Sequence, residues 1–261
     1  VVDARIRSNR RRSLVLLVVA GGAPGAVAGA VVGIVAGPGI GAAVAVVVAV
    51  VVGLGVSRWA VGCVLRVIGG RRIDASGAPR LANLVDGLCA TCGVRPPTLW
   101  LVPDPVPNAC AVGRRPGHAV LVVTSGLLES LDTIDLEGVV AHELMHLKED
   151  DAAVSAIAVT VLAPLVLITG RDRLVQKAVG KGREYRADQA AALAVRSPRG
   201  LQHALETMVD GADPAPGSVF VGRRWALTRW LWIDPMVGTR HEPVIGDLDA
   251  TQVRRAALAE W

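Results

Sequence analysis

Residues 136–146 read LEGVVAHELMH, and the last five, His142-Glu143-Leu144-Met145-His146, decide how the rest of the chain is read. Two histidines four positions apart stand on one face of a helix, because four residues make just over one turn. Their imidazoles can share one metal ion, while Glu143, one position on, can reach a water at an open coordination position. The helix this requires is signalled locally. Asp132, Thr133 and Asp135 supply capping and dipole-complementing groups ahead of a run that reaches about Lys148.

The metal such a site suits is zinc, one ion per chain, and zinc needs a third protein ligand. Glu184 is the leading downstream candidate, with His203 and His241 behind it. Glu184 opens the string Glu-Tyr-Arg-Ala-Asp, so Glu184 and Asp188 share a helical face. The first can bind zinc while the second orients an imidazole and raises its basicity. The plain alternative is a solvated carboxylate face, with Asp188 bridging Arg186 or Arg183.

Toward the N-terminus the character changes. The chain has 261 residues, of which 52% are hydrophobic and 20% charged, yet no charge falls between Ser13 and Ser57. This run divides at Gly37-Pro38-Gly39 into apolar stretches from about Ser13 to Ala36 and from about Ile40 to Val56, each near membrane-spanning length. A second apolar segment directly after the first is unlike a cleaved signal peptide, so a retained transmembrane hairpin over 13–57 is expected. Glycines at 21, 25, 29, 33, 37 and 41 form a shallow stripe against which the second helix can pack, and Pro24 should kink the first. Arg5, Arg7, Arg10, Arg11 and Arg12 precede the hairpin and Arg58, Arg66, Arg71 and Arg72 follow it, while its turn is uncharged. Both ends therefore face the cytoplasm, and a multi-pass protein of the inner cell membrane, in contact with the lipid bilayer, is expected. The domain reading is a basic segment 1–12, the hairpin 13–57, a juxtamembrane connector 58–78 and a soluble domain 79–261.

Several function classes fall away. The mean hydropathy of +0.46 excludes a disordered chain. The arginines behind a formal charge of +5 flank the apolar block and scatter elsewhere rather than forming one basic face, so no nucleic-acid partner is expected. Four cysteines are too few for a disulfide scaffold and point to a reducing compartment; Cys89 and Cys92 read as incidental to a helix end. Signalling or transport through the hairpin would call for an ionisable group within the bilayer, and 13–57 has none. Oligomeric state leaves no mark in the sequence.

The soluble part is α+β: an amphipathic helix over 79–93, a strand at Thr98–Val102, a polar turn through Pro103–Pro107, and a second strand, Ala119–Thr124, ending where Ser125 or Gly126 opens a short helix. Phe220–Ile233 interleaves Trp225, Trp230 and Trp232 with Arg223, Arg224 and Arg229, a composition suited either to a membrane-interface helix or to packing over the active-site cleft.

Four strings together resemble the HtpX-type and CAAX prenyl endopeptidase family of membrane zinc metallopeptidases: Pro-Asn-Ala-Cys-Ala-Val-Gly at 107–113, the 136–146 segment, Arg-Glu-Tyr-Arg-Ala-Asp at 183–188, and Arg-His-Glu-Pro at 240–243. The likeness runs over roughly residues 60–250. It implies a mostly helical zincin-like domain with a small β-sheet, in which His142, His146 and Glu184 are ligands, Glu143 is catalytic base and acid, and Asp188 supports a ligand. It further implies that Asn108, Ala109, Cys110 and Ala111 form the edge strand to which an extended protein or peptide substrate adds. His241 matches a family histidine that stabilises the oxyanion or serves as a reversible ligand. The chain departs from the family in having Cys110 where Phe is usual and Glu242 where Pro is usual. The activity implied is endoproteolysis of misfolded or membrane proteins; the alternative is a catalytically silent, membrane-anchored zinc-binding interaction protein.

One departure is larger. HtpX-like members carry two membrane helices between the metal motifs, whereas here only Ala152–Gly170 is strongly apolar. Ligands that meet at one ion require an even number of crossings, and this stretch is too short for two. A buried or membrane-dipping helix that does not span, bent at Pro164, is expected.

Overall fold

In the computed structural model, which describes residues 2–113, 118–171, 173–211, 213–235 and 251–261, the uncharged run forms a helical hairpin. Helices α1 (Val2–Ala36) and α2 (Pro38–Ile68) reverse at Gly37, whose φ of +93° an L side chain would resist. Pro38 occupies the first turn of α2, where a missing N–H costs nothing. The glycine stripe is the contact surface: a Cβ at Gly25 would lie 2.5 Å from the Ala45 carbonyl oxygen, and one at Gly29 would lie 2.6 Å from that of Gly41. The outward faces of both helices expose valine, isoleucine and leucine, as a lipid environment demands.

Helix does not stop where the apolar stretches stop. α1 takes in the basic N-terminal residues, and α2 runs through Trp59 to Ile68, because no breaker occurs before Gly69-Gly70. Residues 58–68 of the expected connector are therefore helical.

Then follow β1 (Arg71–Ile73), α3 (Pro79–Cys92), β2 (Thr98–Val102), β3 (Ala109–Val112), β4 (Val120–Thr124), α4 (Ser125–Ser130) and α5 (Thr133–Lys148). The strands form one sheet in the order β1-β2-β4-β3, with β2 and β4 parallel and the other two pairs antiparallel. Both faces of the sheet are buried, and alternate residues of β4 serve different cores. Leu121 and Val123 face α3 and α5, whereas Val120 and Val122 face Ala60, Val64 and Ile68 of α2 together with Phe220 and Trp232. Asp132 starts α5, its carboxylate accepting from the backbone N–H groups of Ile134 and Asp135.

α5 is followed by α6 (Asp151–Thr169), α7 (Arg173–Val179), α8 (Arg183–Val195), α9 (Arg199–Val209), α10 (Gly222–Thr228), a short 3-10 turn (Arg229–Leu231) and α11 (Thr251–Ala259). α6 is long and apolar enough to span by composition, but half of it is buried in the protein. Its start and the end of α7 both meet the basic end of α1: the Arg10 Nε lies 2.9 Å from the Asp150 carboxylate, and the Arg12 Nη1 donates to the Val179 carbonyl at 2.9 Å. The two helices go out and come back, leaving Leu165, Leu167 and Ile168 exposed near the tip. In the Trp-rich stretch, Phe220 makes edge contacts with both Trp225 and Trp232, all three buried, so these rings pack inside the protein rather than lying on a bilayer surface.

Gly25→Val should force α1 and α2 apart and destabilise the detergent-solubilised protein by about 1–3 kcal/mol. Gly22→Val, where nothing lies within 4 Å, should be neutral in the same thermal denaturation. Equal effects at both positions would show that the stripe is not the contact.

Candidate metal centre

α5 is buried along most of its length, because α3, α8, α9 and β3 pack around it. His142, Glu143 and His146 lie on its inward side, and α8 brings Glu184 and Asp188 against them, all five buried. The Nε2 atoms of His142 and His146 are 3.0 Å apart, and the Glu184 Oε2 is 3.1 Å from the first and 3.4 Å from the second. The other ring nitrogens face carboxylates. His142 Nδ1 lies 2.8 Å from the Asp188 Oδ1, and His146 Nδ1 lies 2.9 Å from the Asp151 Oδ1. With both Nδ1 atoms turned toward these carboxylates, both Nε2 atoms and one oxygen of Glu184 point at the same place.

Neutral imidazoles that turn both Nε2 lone pairs and a carboxylate oxygen to one point repel unless a cation sits between them. Donors bound at about 2.0–2.1 Å around a four-coordinate divalent ion lie roughly 3.3 Å from one another, which is the spacing found. His142, His146 and Glu184 are a group that could hold a metal ion. Beside them, both oxygens of Glu143 are buried with no hydrogen-bond partner among the described residues. Burial pushes this carboxyl above its ordinary value, against the pull of the two histidines.

Two arginines complete the cluster. Arg254, from α11, is fully buried and grips Asp188 through both oxygens at 2.7 Å, while its Nη1 donates to the Ile233 carbonyl. Arg183 holds Glu184 with its Nε at 2.7 Å. Burial alone would raise the Glu184 carboxyl, but Arg183 and His146 hold it well below the usual carboxylate range. Asp188 is likewise lowered, Arg254 outweighing the cost of burial. His142 is raised despite burial, by Asp188 and Glu184, and His146 is raised despite burial to about 10, chiefly by Asp151.

The solvated-face alternative for Glu184 and Asp188 does not hold, since both are buried, and the arginine on Asp188 is Arg254 rather than Arg183 or Arg186. His203 stands apart from the cluster, 2.5 Å from Asp135 and largely exposed. His118 is exposed. His241 lies outside the described residues. Asp151, Arg183 in its contact with Glu184, and Arg254 are the members of the site that sequence reasoning did not place.

β3 is the edge strand of the sheet among the described residues, but its outer side already carries part of the chain. The Ile233 N–H donates to the Ala109 carbonyl at 2.9 Å. Asn108 pairs with Asp234 twice: its Nδ2 donates to the Asp234 carbonyl and its Oδ1 accepts from the Asp234 N–H. Cys110 faces the second core, and the charge of Glu143 is felt at its thiol, which burial pushes well up. Backbone groups of an antiparallel strand alternate in direction, so Ala111, two residues beyond Ala109, turns its N–H and C=O to the same outer side.

The sequence profile of peptidase family M48 matches residues 76–243. Among curated proteins, the chain is 34% identical over 187 residues to a protease HtpX homolog of Salinibacter ruber, covering 62% of this chain and 68% of that one. It is 38% identical over 202 residues to a protease HtpX homolog of Tropheryma whipplei, covering 64% and 67%. A third, the protease HtpX homolog of Dictyoglomus thermophilum, is 33% identical over 210 residues, covering 67% of each chain. No solved structure gives a significant match. The matched span takes in the helix that carries both histidines, the edge strand and the carboxylates of α8, and with two apolar helices ahead of it the chain belongs to peptidase family M48, as a membrane metallopeptidase of the HtpX type.

Proposed function

We propose that this chain is a zinc-dependent endopeptidase, with His142, His146 and Glu184 as ligands, Glu143 as general base and acid, and Asp188 and Asp151 orienting the two imidazoles. The observation that carries the proposal is the convergence of three potential ligand atoms beside a buried carboxylate that has no hydrogen-bond partner among the described residues. When bound, zinc would polarise the scissile carbonyl and acidify a water molecule. Glu143, raised by burial, accepts the proton of that water and delivers it to the leaving amine. Asp188 and Asp151 keep each Nδ1 protonated, so that the Nε2 lone pairs stay directed at the ion.

The substrate is an extended polypeptide that adds to β3, with Ala111 offering backbone hydrogen bonds beside Glu143. Asn108 and Ala109 become available only when Ile233 and Asp234 move aside. By analogy with its relatives, this membrane peptidase acts on misfolded or membrane proteins at the cytoplasmic face of the inner membrane, an orientation supported by arginines at both ends of the hairpin and none in its turn. A silent zinc-binding protein would have no use for an unpaired buried carboxylate at the ion, and Glu143 therefore favours turnover.

Full-length protein in detergent should hydrolyse casein, lose activity to a chelator and recover it with zinc. Glu143→Gln should keep its metal and lose activity by about 10²–10⁴-fold. A wild type that binds one metal ion yet cuts neither casein nor an unfolded membrane protein would establish the silent reading. Metal content separates the third-ligand candidates: Glu184→Ala should lose zinc during purification, and His203→Ala should keep both zinc and activity. The reverse result would sink the ligand set.

A further inference from the structure

Arg183 immediately precedes Glu184, so the two side chains leave the axis of α8 about 100° apart and meet only because the guanidinium turns back. It is buried and holds several partners at once. Its Nε and Nη2 donate to the Glu184 Oε1 at 2.7 and 2.5 Å, its Nη1 donates to the Ser155 hydroxyl on α6, and its Nη2 also donates to the Trp230 carbonyl at 3.2 Å. Every contact between Arg183 and Glu184 falls on Oε1. The other oxygen, Oε2, faces both imidazoles, and the Arg254 Nη1 lies 3.8 Å from it while donating to Ile233.

A carboxylate free to rotate can place one or both oxygens on a cation. We infer that Arg183 is a positioning residue that commits Glu184 to metal through Oε2 alone, by holding Oε1 in a fork braced from α6 and from the 3-10 turn. The inference rests on Glu184 being a ligand. A fixed one-oxygen ligand keeps coordination positions open for water and the substrate carbonyl, which an open catalytic site requires. Sequence gives Arg183 no such role: adjacent residues of a helix do not share a face. A lysine would not replace it, since a single ammonium cannot hold Oε1, the Ser155 hydroxyl and the Trp230 carbonyl in one plane.

The test uses full-length protein in detergent, with zinc affinity read by chelator competition and coordination read from the visible absorption of the cobalt-substituted protein. Arg183→Lys should weaken zinc binding roughly 10–100-fold and alter the cobalt spectrum as the second carboxylate oxygen joins the metal. Ser155→Ala, which removes one brace, should move both readouts less and in the same direction. Wild-type affinity and spectrum in both variants, with only the melting temperature lowered, would overturn the inference and leave Arg183 a structural ion pair. Should Arg183→Lys fail to fold, Ser155→Ala decides by the same criterion. Glu184→Ala is measured alongside: wild-type zinc affinity there would overturn the ligand assignment itself, an outcome distinct from failure of the arginine's role.

Discussion

The arrangement of the whole soluble domain depends on one electrostatic problem, the burial of several carboxylates around two imidazoles. Glu143, Asp151, Glu184 and Asp188 are all buried there, and among the described residues Arg183 and Arg254 are the buried cations that oppose them. Neutral imidazoles would leave two negative charges in a region where unpaired charge costs several kcal/mol. Protonation of the imidazoles would offset part of this, and the neighbouring carboxylates favour it, Asp188 and Glu184 at His142 and Asp151 at His146. A divalent cation restores the same balance while leaving the rings neutral, as ligation requires. The pocket's charge deficit and its converging lone pairs thus have a common solution.

The sheet transmits this arrangement to the membrane. Period-two alternation along β4 places Leu121 and Val123 in the core that carries α5, and Val120 and Val122 in the core that receives the C-terminal end of α2. Cys110 and Val112 of β3 belong to the second core and Ala109 to the first. The strand proposed to receive substrate is therefore wedged between α5 and the membrane hairpin, and neither can shift without disturbing it. Arg183 and Arg254 extend the coupling, because each grips a carboxylate of α8 and a backbone carbonyl of the 230–233 segment that lies along the edge of β3.

What the sequence reveals depends on the range of the interaction. Asp132 announces α5, and Gly37 with Pro38 announces the reversal, because caps and turns are decided by adjacent residues. The His pair and the Glu184–Asp188 pair are legible as i, i+4 spacings. Asp151 follows His146 by five residues, but the helix breaks at Asp150, whose φ is +60°, so no single helical face predicts their contact. Arg254 meets Asp188 across 66 positions, and nothing in the pair Arg254-Arg255 distinguishes the buried arginine from its half-exposed neighbour. β3 was recognisable only through family likeness, since Ala-Cys-Ala-Val carries a weak strand signal. The continuation of α2 to Ile68 is invisible to hydropathy, because helix propensity does not end with the apolar run.

The path between the two metal motifs shows how a global constraint can substitute for a local signal. α6 is apolar enough to be taken for a span, and considered alone it would carry the chain across the bilayer. Crossing would place Glu184 about 30 Å from His146, on the wrong side of the hydrocarbon. The structure meets the constraint by return rather than by a second crossing: α7 runs back along α6, and its last residue reaches Arg12, two positions from the Arg10 that holds Asp150 at the beginning of α6. Entry and exit are thus fixed at one level of α1, by Arg10 and Arg12. The exposed apolar residues Leu165, Leu167 and Ile168 belong near the turning point, the part of the excursion farthest from that level, where lipid can cover them. A pair of helices that goes out and returns keeps the ligand residues together, and a spanning α6 would separate them.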